Sequence, residues 1–287
     1  MLSQAFMRNA LLAGTFIALA CGVSGWFVVL RGQVFAGDAL SHVAFPAALA
    51  AAAAGVDQRA GLFVATVAVG ALIGILGRAG RSQRGTLPGA GAGAAGEEAA
   101  IGIVFTLILG VGLFFLTRLS MSAAGGSGIR AAHTLFGSIF GLAAGEAWLA
   151  AGLGVATLAL TATIARPLLF ASVSPELAAA RGVPTRLLAV AFLALVGLVA
   201  AEATQAVGAL LLLGLLTGPA AAAHRITAAP VAGIALAGAL AVAAMWLGLV
   251  LAYLLPWLPP STAVVVLAAG TYYGSLLLGR AGGRPHR

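Results

Sequence analysis

The chain has 287 residues, of which 62% are hydrophobic and 8% charged. Soluble domains carry about 25% charged residues; a water-facing shell cannot be assembled from so few, and the apolar excess also excludes intrinsic disorder. The formal charge is +8, from fifteen arginines, no lysine and seven acids, and the arginines stand singly between apolar runs, which suits lipid headgroups and membrane orientation and argues against a nucleic-acid surface.

A bilayer span needs about 20 mostly apolar residues. Residues 10–30 form an uncharged run of 21, too long for a secretory signal core and without a clear cleavage site. Further candidate spans follow at 39–56, 60–77, 99–117, 147–165, 187–201 and 203–223. Pro230, Pro256, Pro259 and Pro260 divide the uncharged tail of the chain into spans at 231–255 and 261–279. Segment 131–145 is short for a crossing and is expected to be re-entrant or to lie along the outer face. Backbone in lipid must satisfy its own hydrogen bonds, and no alternating ten-residue pattern of a barrel appears. The fold class is therefore all-α: a polytopic membrane bundle of about eight or nine helices, forming a single transmembrane domain over 1–287.

Arg78, Arg81 and Arg84 crowd one connection, and Arg166, Arg181 and Arg186 another. Arg225 marks a third, and Arg280, Arg284 and Arg287 close the chain. The positive-inside rule places all four regions in the cytoplasm, which is self-consistent from residue 78 onward if 131–145 does not cross. Gly70 and Gly74, and likewise Gly137, Gly141 and Gly145, recur at a four-residue spacing that lets helix backbones approach closely in lipid.

A phosphate-binding loop of the Walker type needs a lysine, and there is none. If ATP drives this protein, another subunit hydrolyses it. Gly91, Gly93 and Gly96 fit a dinucleotide-binding spacing but sit in a Gly/Ala linker at 86–96 with no preceding strand. The single Cys21 excludes an intramolecular disulfide and a multi-cysteine metal site.

Ionisable groups in apolar runs are costly and are functional candidates. Asp38 and His42 are four residues apart and share one helix face. A carboxylate and an imidazole so placed offer two ligands to a borderline cation; a proton relay and a purely structural pair are the alternatives. Pro46, one turn on, frees a backbone carbonyl and bends the helix. Glu97 and Glu98 are expected to open a helix and complement its dipole. Glu146 and Glu202 are expected near outer ends, in solvent or facing an entrance. His133 and His224 are expected at helix ends as interfacial side chains, and His286 lies in the tail.

The 166–186 connection reads RPLLFASVSPELAAARGVPTR. Ser174 suits an N-cap, Pro175 the first helical position, Glu176 the first turn and Gly182 the position after the C-cap, with Pro184 as the stop. A short helix over 175–181 in a cytoplasmic loop is expected, either as an ordered surface element or as a docking element.

Several segments together resemble the ABC-3 family, the membrane permeases of bacterial zinc, manganese and iron importers. They are FMRNALLAGTFIALACGVSGWFVVL followed by GDALSHVAFPAALA, then EEAAIGIVFT, HTLFGSIFG, SPELAAARGVPTRLL and QAVGALLLLGLLTGPAAAA. The resemblance runs over roughly 6–280; the stretch LRGQVFA before GDALSH departs from it, being less basic than the family's start, and Glu146 and Glu202 match no functional position of the family. It implies a type II importer-like permease that is not itself an enzyme and works as a homodimer in the bacterial plasma (inner) membrane. It implies a cytoplasmic ABC ATPase dimer docking on the short helix, through Ser174, Pro175, Glu176, Leu177, Arg181 and Gly182. It implies an extracytoplasmic metal-binding protein that delivers the ion. The transported zinc, manganese or iron is substrate, with no resident cofactor, and Asp38 and His42 become candidate metal contacts in the path. The rival readings are a permease for a siderophore- or cobalamin-type chelate, which needs no ion ligands, and an ion-coupled secondary transporter, for which an inverted repeat is expected and not seen. An intramembrane hydrolase is disfavoured by the lack of HExxH or paired catalytic acids.

Overall fold

The computed structural model describes residues 4–82, 92–121, 139–206 and 208–281. Among the described residues there are ten α-helices and no strand, and seven of the helices are long and apolar enough to cross a membrane by length and composition. The helices are α1 (Ala5–Leu30), α2 (Val34–Ala53), α3 (Gln58–Ser82), α4 (Ala92–Met121), α5 (Ala144–Val173), α6 (Pro175–Ala180), α7 (Thr185–Ala206), α8 (Ala209–Ile226), α9 (Pro230–Leu254) and α10 (Pro260–Ala281). A 3₁₀ turn, Ile139–Gly141, precedes α5. The chain is an all-helical, multi-pass membrane protein.

Contacts divide the chain into two compact units: Met1–Val34 with Phe136–Ala159 and Glu202–Arg287, and Phe35–Leu135 with Leu160–Ala201. In the first, α1, α8, α9 and α10 form the core, with α8 and α9 both packed on α1 and α10. Lipid offers no hydrophobic drive between helices, so close backbone approach through small residues takes its place. A Cβ on Gly22 would lie 2.6 Å from the Ala237 carbonyl oxygen, and one on Gly25 would collide with that of Leu216. Met7, Ile17, Phe27, Leu212, Leu215, Leu216, Met245 and Leu249 fill the space between these seams.

The second unit repeats the device. Along α3 and α7, Thr66 faces Gly197, Gly70 faces Leu193 and Gly74 faces Val190. One index rises as the other falls, so the two helices are antiparallel. Gly70 and Gly74 thus serve the close packing their spacing implies. Ala44, Ala48, Leu62 and Ala201 cluster beside this seam, with Phe63 against them.

Helix ends explain the short connections. Gly32 has φ +65° and lets the chain leave α1 at once: its N–H reaches the Val29 carbonyl at 3.1 Å, and that of Gln33 reaches Val28 at 2.9 Å, a Schellman closure. Asp57 Oδ1 accepts the Ala60 N–H at 2.9 Å and caps α3. Glu146 Oε2 accepts the Ala143 N–H at 3.1 Å, half of a capping box at the start of α5.

Three boundaries differ from those read in the sequence. α5 does not stop before Arg166 but runs through Pro167 to Val173; Leu168 is fully buried, and its burial outweighs a lost helical hydrogen bond. The break expected at residue 202 falls instead after Ala206, and Gly208, ahead of α8, takes φ +98°. Glu202 is therefore inside α7 and 3% exposed, not at a solvated end. α4 begins at Ala92 with no acid in its first turn, so Glu97 and Glu98 do not open it. Segment 131–145 lies outside the described residues up to 138, as do His133 and His286.

Candidate functional site

Asp38 and His42 both fall within α2, because the helix starts at Val34 rather than after the aspartate. His42 Nε2 and Asp38 Oδ1 are 3.9 Å apart, and the side chains are 23% and 34% exposed respectively. That separation exceeds a hydrogen bond. Neither atom is engaged by the other, which leaves both able to turn to a third group. The Ser41 hydroxyl donates to the Asp38 carbonyl at 2.6 Å, so it does not compete for the carboxylate. Pro46 sits inside α2. Having no N–H, it removes the usual helical partner of the His42 carbonyl, four residues earlier. The sequence thus places a carboxylate, an imidazole and a freed backbone acceptor on one turn.

Among the described residues no group of three or more His, Cys, Asp or Glu side chains converges as a metal cluster. Two protein ligands fall short of the four of a closed structural zinc site. Such a pair suits an ion that keeps part of its own shell and moves on. The His42 ring lies against Phe105 of α4, with centroids 5.6 Å apart and planes at 58°. A Cβ on Gly112 would lie 2.6 Å from Pro46 Cγ. These α4 contacts were not foreseen, since no sequence period pairs residues 42 and 105.

The second candidate element is α6. Pro175 occupies its first turn with Glu176, as expected, but Ser174 makes no side-chain cap hydrogen bond and only its position matches. Gly182 has φ +76°, and the N–H groups of Gly182 and Val183 reach the Ala179 and Ala178 carbonyls at 3.0 Å each. The helix ends one residue earlier than predicted, at Ala180, in a Schellman motif that only a residue without a Cβ adopts readily. Leu177 is 61% exposed on this helix. The Arg181 guanidinium lies 5.9 Å from the centre of the Phe170 ring, tying the helix end back to α5.

His224 lies in the last turn of α8, at a helix end as expected. Its Nε2–H donates to the Trp26 carbonyl at 2.9 Å, and its ring stacks on the indole at 4.6 Å between centroids. It joins α8 to α1. Neither carboxyl oxygen of Glu202 has a hydrogen-bond partner. The signal that finds this residue is its place in an otherwise apolar run.

An all-helical multi-pass bundle, with a half-buried Asp/His pair in one unit and a short helix between two long ones, fits a membrane permease. The family model of the ABC 3 transport family matches residues 3–279, and the chain belongs to that family. It is 30% identical to a manganese transport system membrane protein, MntC, of Halalkalibacterium halodurans, over 79% of this chain and 72% of that protein. It is 29% identical to the manganese import system permease protein ScaB of Streptococcus parasanguinis, over 86% of this chain and 82% of that one. Against a probable iron transport system membrane protein of Haemophilus influenzae it is 25% identical over 86% of this chain and 84% of that one. Among solved structures, PsaBC from Streptococcus pneumoniae in complex with Fab superposes with a TM-score of 0.77 at 26% identity, covering 95% of this chain and 91% of that chain.

Proposed function

We propose that this chain, acting as one permease domain over 1–287, is the membrane-spanning subunit of an ATP-binding cassette importer for a divalent transition metal ion. Manganese is the first expectation, because relatives are named for it; iron and zinc remain within the chemistry of the same ligands. Two copies form the pathway in the bacterial inner membrane. An extracytoplasmic binding protein supplies the ion, and a separate ATPase dimer docks on α6 through Ser174, Pro175, Glu176, Leu177, Arg181 and Gly182. Movement of α6 passes to α5 and α7, its immediate neighbours in the chain, and alternates access to the pathway.

The observation that carries this reading is the Asp38–His42 pair, half-buried on one face of α2 with its two ligand atoms 3.9 Å apart. The carboxylate lowers the energy of a dication that has shed part of its water, and the imidazole adds a ligand that favours transition metals over calcium and magnesium. Two ligands hold the ion weakly enough to release it, as conduction requires. The test is Mn²⁺ uptake into cells or proteoliposomes carrying the chain with its ATPase and binding protein. Asp38→Ala abolishes uptake while ATPase assembly is retained; normal uptake by that variant removes the pair from the pathway.

A further inference from the structure

Resting on that reading of the pair, we infer that α4 sets its geometry: Phe105 fixes the His42 imidazole, and the close contact of Gly112 with Pro46 fixes the bend of the helix that carries both ligands. The two contacts are 5.6 Å between the Phe105 and His42 centroids, and 2.6, 2.8 and 3.3 Å from a Cβ on Gly112 to Pro46 Cγ, Cβ and Cα. Residues 105 and 112 are two turns apart on one face of α4, and that face is the buried one. Ile101 and Gly112 are buried, Phe105 is half-buried, and Ile103, Leu107, Leu113 and Phe114 are exposed. Residues 42 and 46 are one turn apart on α2. Both contacts advance together along the two chains, so α2 and α4 run in the same direction and meet along a short seam over the pair.

An imidazole on a helix has two rotatable bonds, and only some rotamers bring Nε2 toward the neighbouring carboxylate. A ring packed against Phe105 holds one of them before the ion arrives, so less conformational freedom is lost on binding. The bend at Pro46 governs where the freed His42 carbonyl points, and the obstacle facing Gly112 there is a rigid ring joined to backbone. A side chain at 112 displaces α2 itself. Manganese accepts oxygen-rich, near-octahedral ligand sets, while zinc favours a tetrahedral one, so the angle between carboxylate and imidazole bears on which ion passes. Phe105 and Gly112 are positioning residues, neither of which touches the ion.

The experiment measures ⁵⁴Mn²⁺ uptake, and its competition by Zn²⁺, in cells expressing the chain with its ATPase and binding protein, alongside Tm in detergent. Phe105→Ala lowers kcat/KM for Mn²⁺ by roughly tenfold, as loss of a ligand-orienting neighbour does, and changes the Mn²⁺/Zn²⁺ competition ratio. Phe105→Tyr keeps both near the wild type. Gly112→Ala shows the same loss, and Gly112→Ala combined with Pro46→Gly behaves like Pro46→Gly alone, because the Cγ and Cβ that the new methyl meets at 2.6 and 2.8 Å have gone. An unchanged competition ratio in Phe105→Ala overturns the inference, whether uptake is normal or falls only with the folded fraction. So does a double variant worse than Pro46→Gly. If Asp38→Ala takes up Mn²⁺ normally, the pathway reading itself falls; if Asp38→Ala is dead while both α4 variants match the wild type, this inference alone falls.

Discussion

The α3–α7 seam makes a quantitative demand on Gly197. An added Cβ there would lie 2.5 Å from the Thr66 carbonyl oxygen, 3.1 Å from its carbon and 3.3 Å from Val67 Cα. A carbon and a carbonyl oxygen rest at about 3.3–3.6 Å, so the helices must separate by nearly 1 Å. The obstacle is backbone on a neighbouring helix, and no side-chain rotation relieves it. Overpacking of this kind costs about 1–3 kcal/mol. For a unit of this size that corresponds to a fall in Tm of roughly 2–12 °C, followed by thermal unfolding in detergent. Gly102→Ala is the matched control. It is also a helical glycine, but nothing lies within 4 Å of its Cβ position, and the gain in helix propensity makes it neutral or stabilising by up to about 1 kcal/mol. If Gly197→Ala unfolds with the wild type, or Gly102→Ala is the worse of the two, close packing at this seam does not hold the unit together.

Other residues yield further expectations. Glu202 is 3% exposed with both carboxyl oxygens unpartnered, so Glu202→Met removes a buried polar group and adds stability on the order of 1–3 kcal/mol, read as a higher Tm; a fall in Tm shows that the carboxyl makes a contact essential to the fold. His224→Ala loses a 2.9 Å hydrogen bond to Trp26 and a stacked ring, lowering stability by about 1–3 kcal/mol, whereas a Tm equal to the wild type means that α1 and α8 are held by the glycine seam alone. Leu177→Asp places a charge on the exposed apolar face of α6; co-purification of the ATPase drops while Tm is unchanged, and an ATPase that still co-purifies argues against docking through this helix.

How far the sequence can be read depended on the kind of signal. Apolar runs separated by arginines locate the helices, because a span is set by length and hydrophobicity along the chain alone. The boundaries at Pro230, Leu254 and Pro260 therefore agree with the expected division to within a residue or so. The short helix at Pro175 was legible for a similar reason: capping is local, and Pro175 and Gly182 carry it in their own backbone preferences. Arg166 and Pro167 misled, since a charge and a proline ordinarily mark a helix end, and the burial of Leu168 that carries α5 onward is a property of neighbours the local sequence does not name.

The same division runs through the candidate site. The chain by itself determined that Asp38 and His42 share a face, because a four-residue spacing on a helix admits no other arrangement. It determined as well that no lysine is present to serve a nucleotide. Only the tertiary structure decided what covers that face. Phe105 and Gly112 reach the pair across more than sixty residues of chain, through a packing of α4 on α2 that depends on shape complementarity between surfaces. Glu202 likewise changes from an expected solvated end to a buried acid because the helix break is placed by Gly208, whose positive φ relieves a turn that a Cβ would strain.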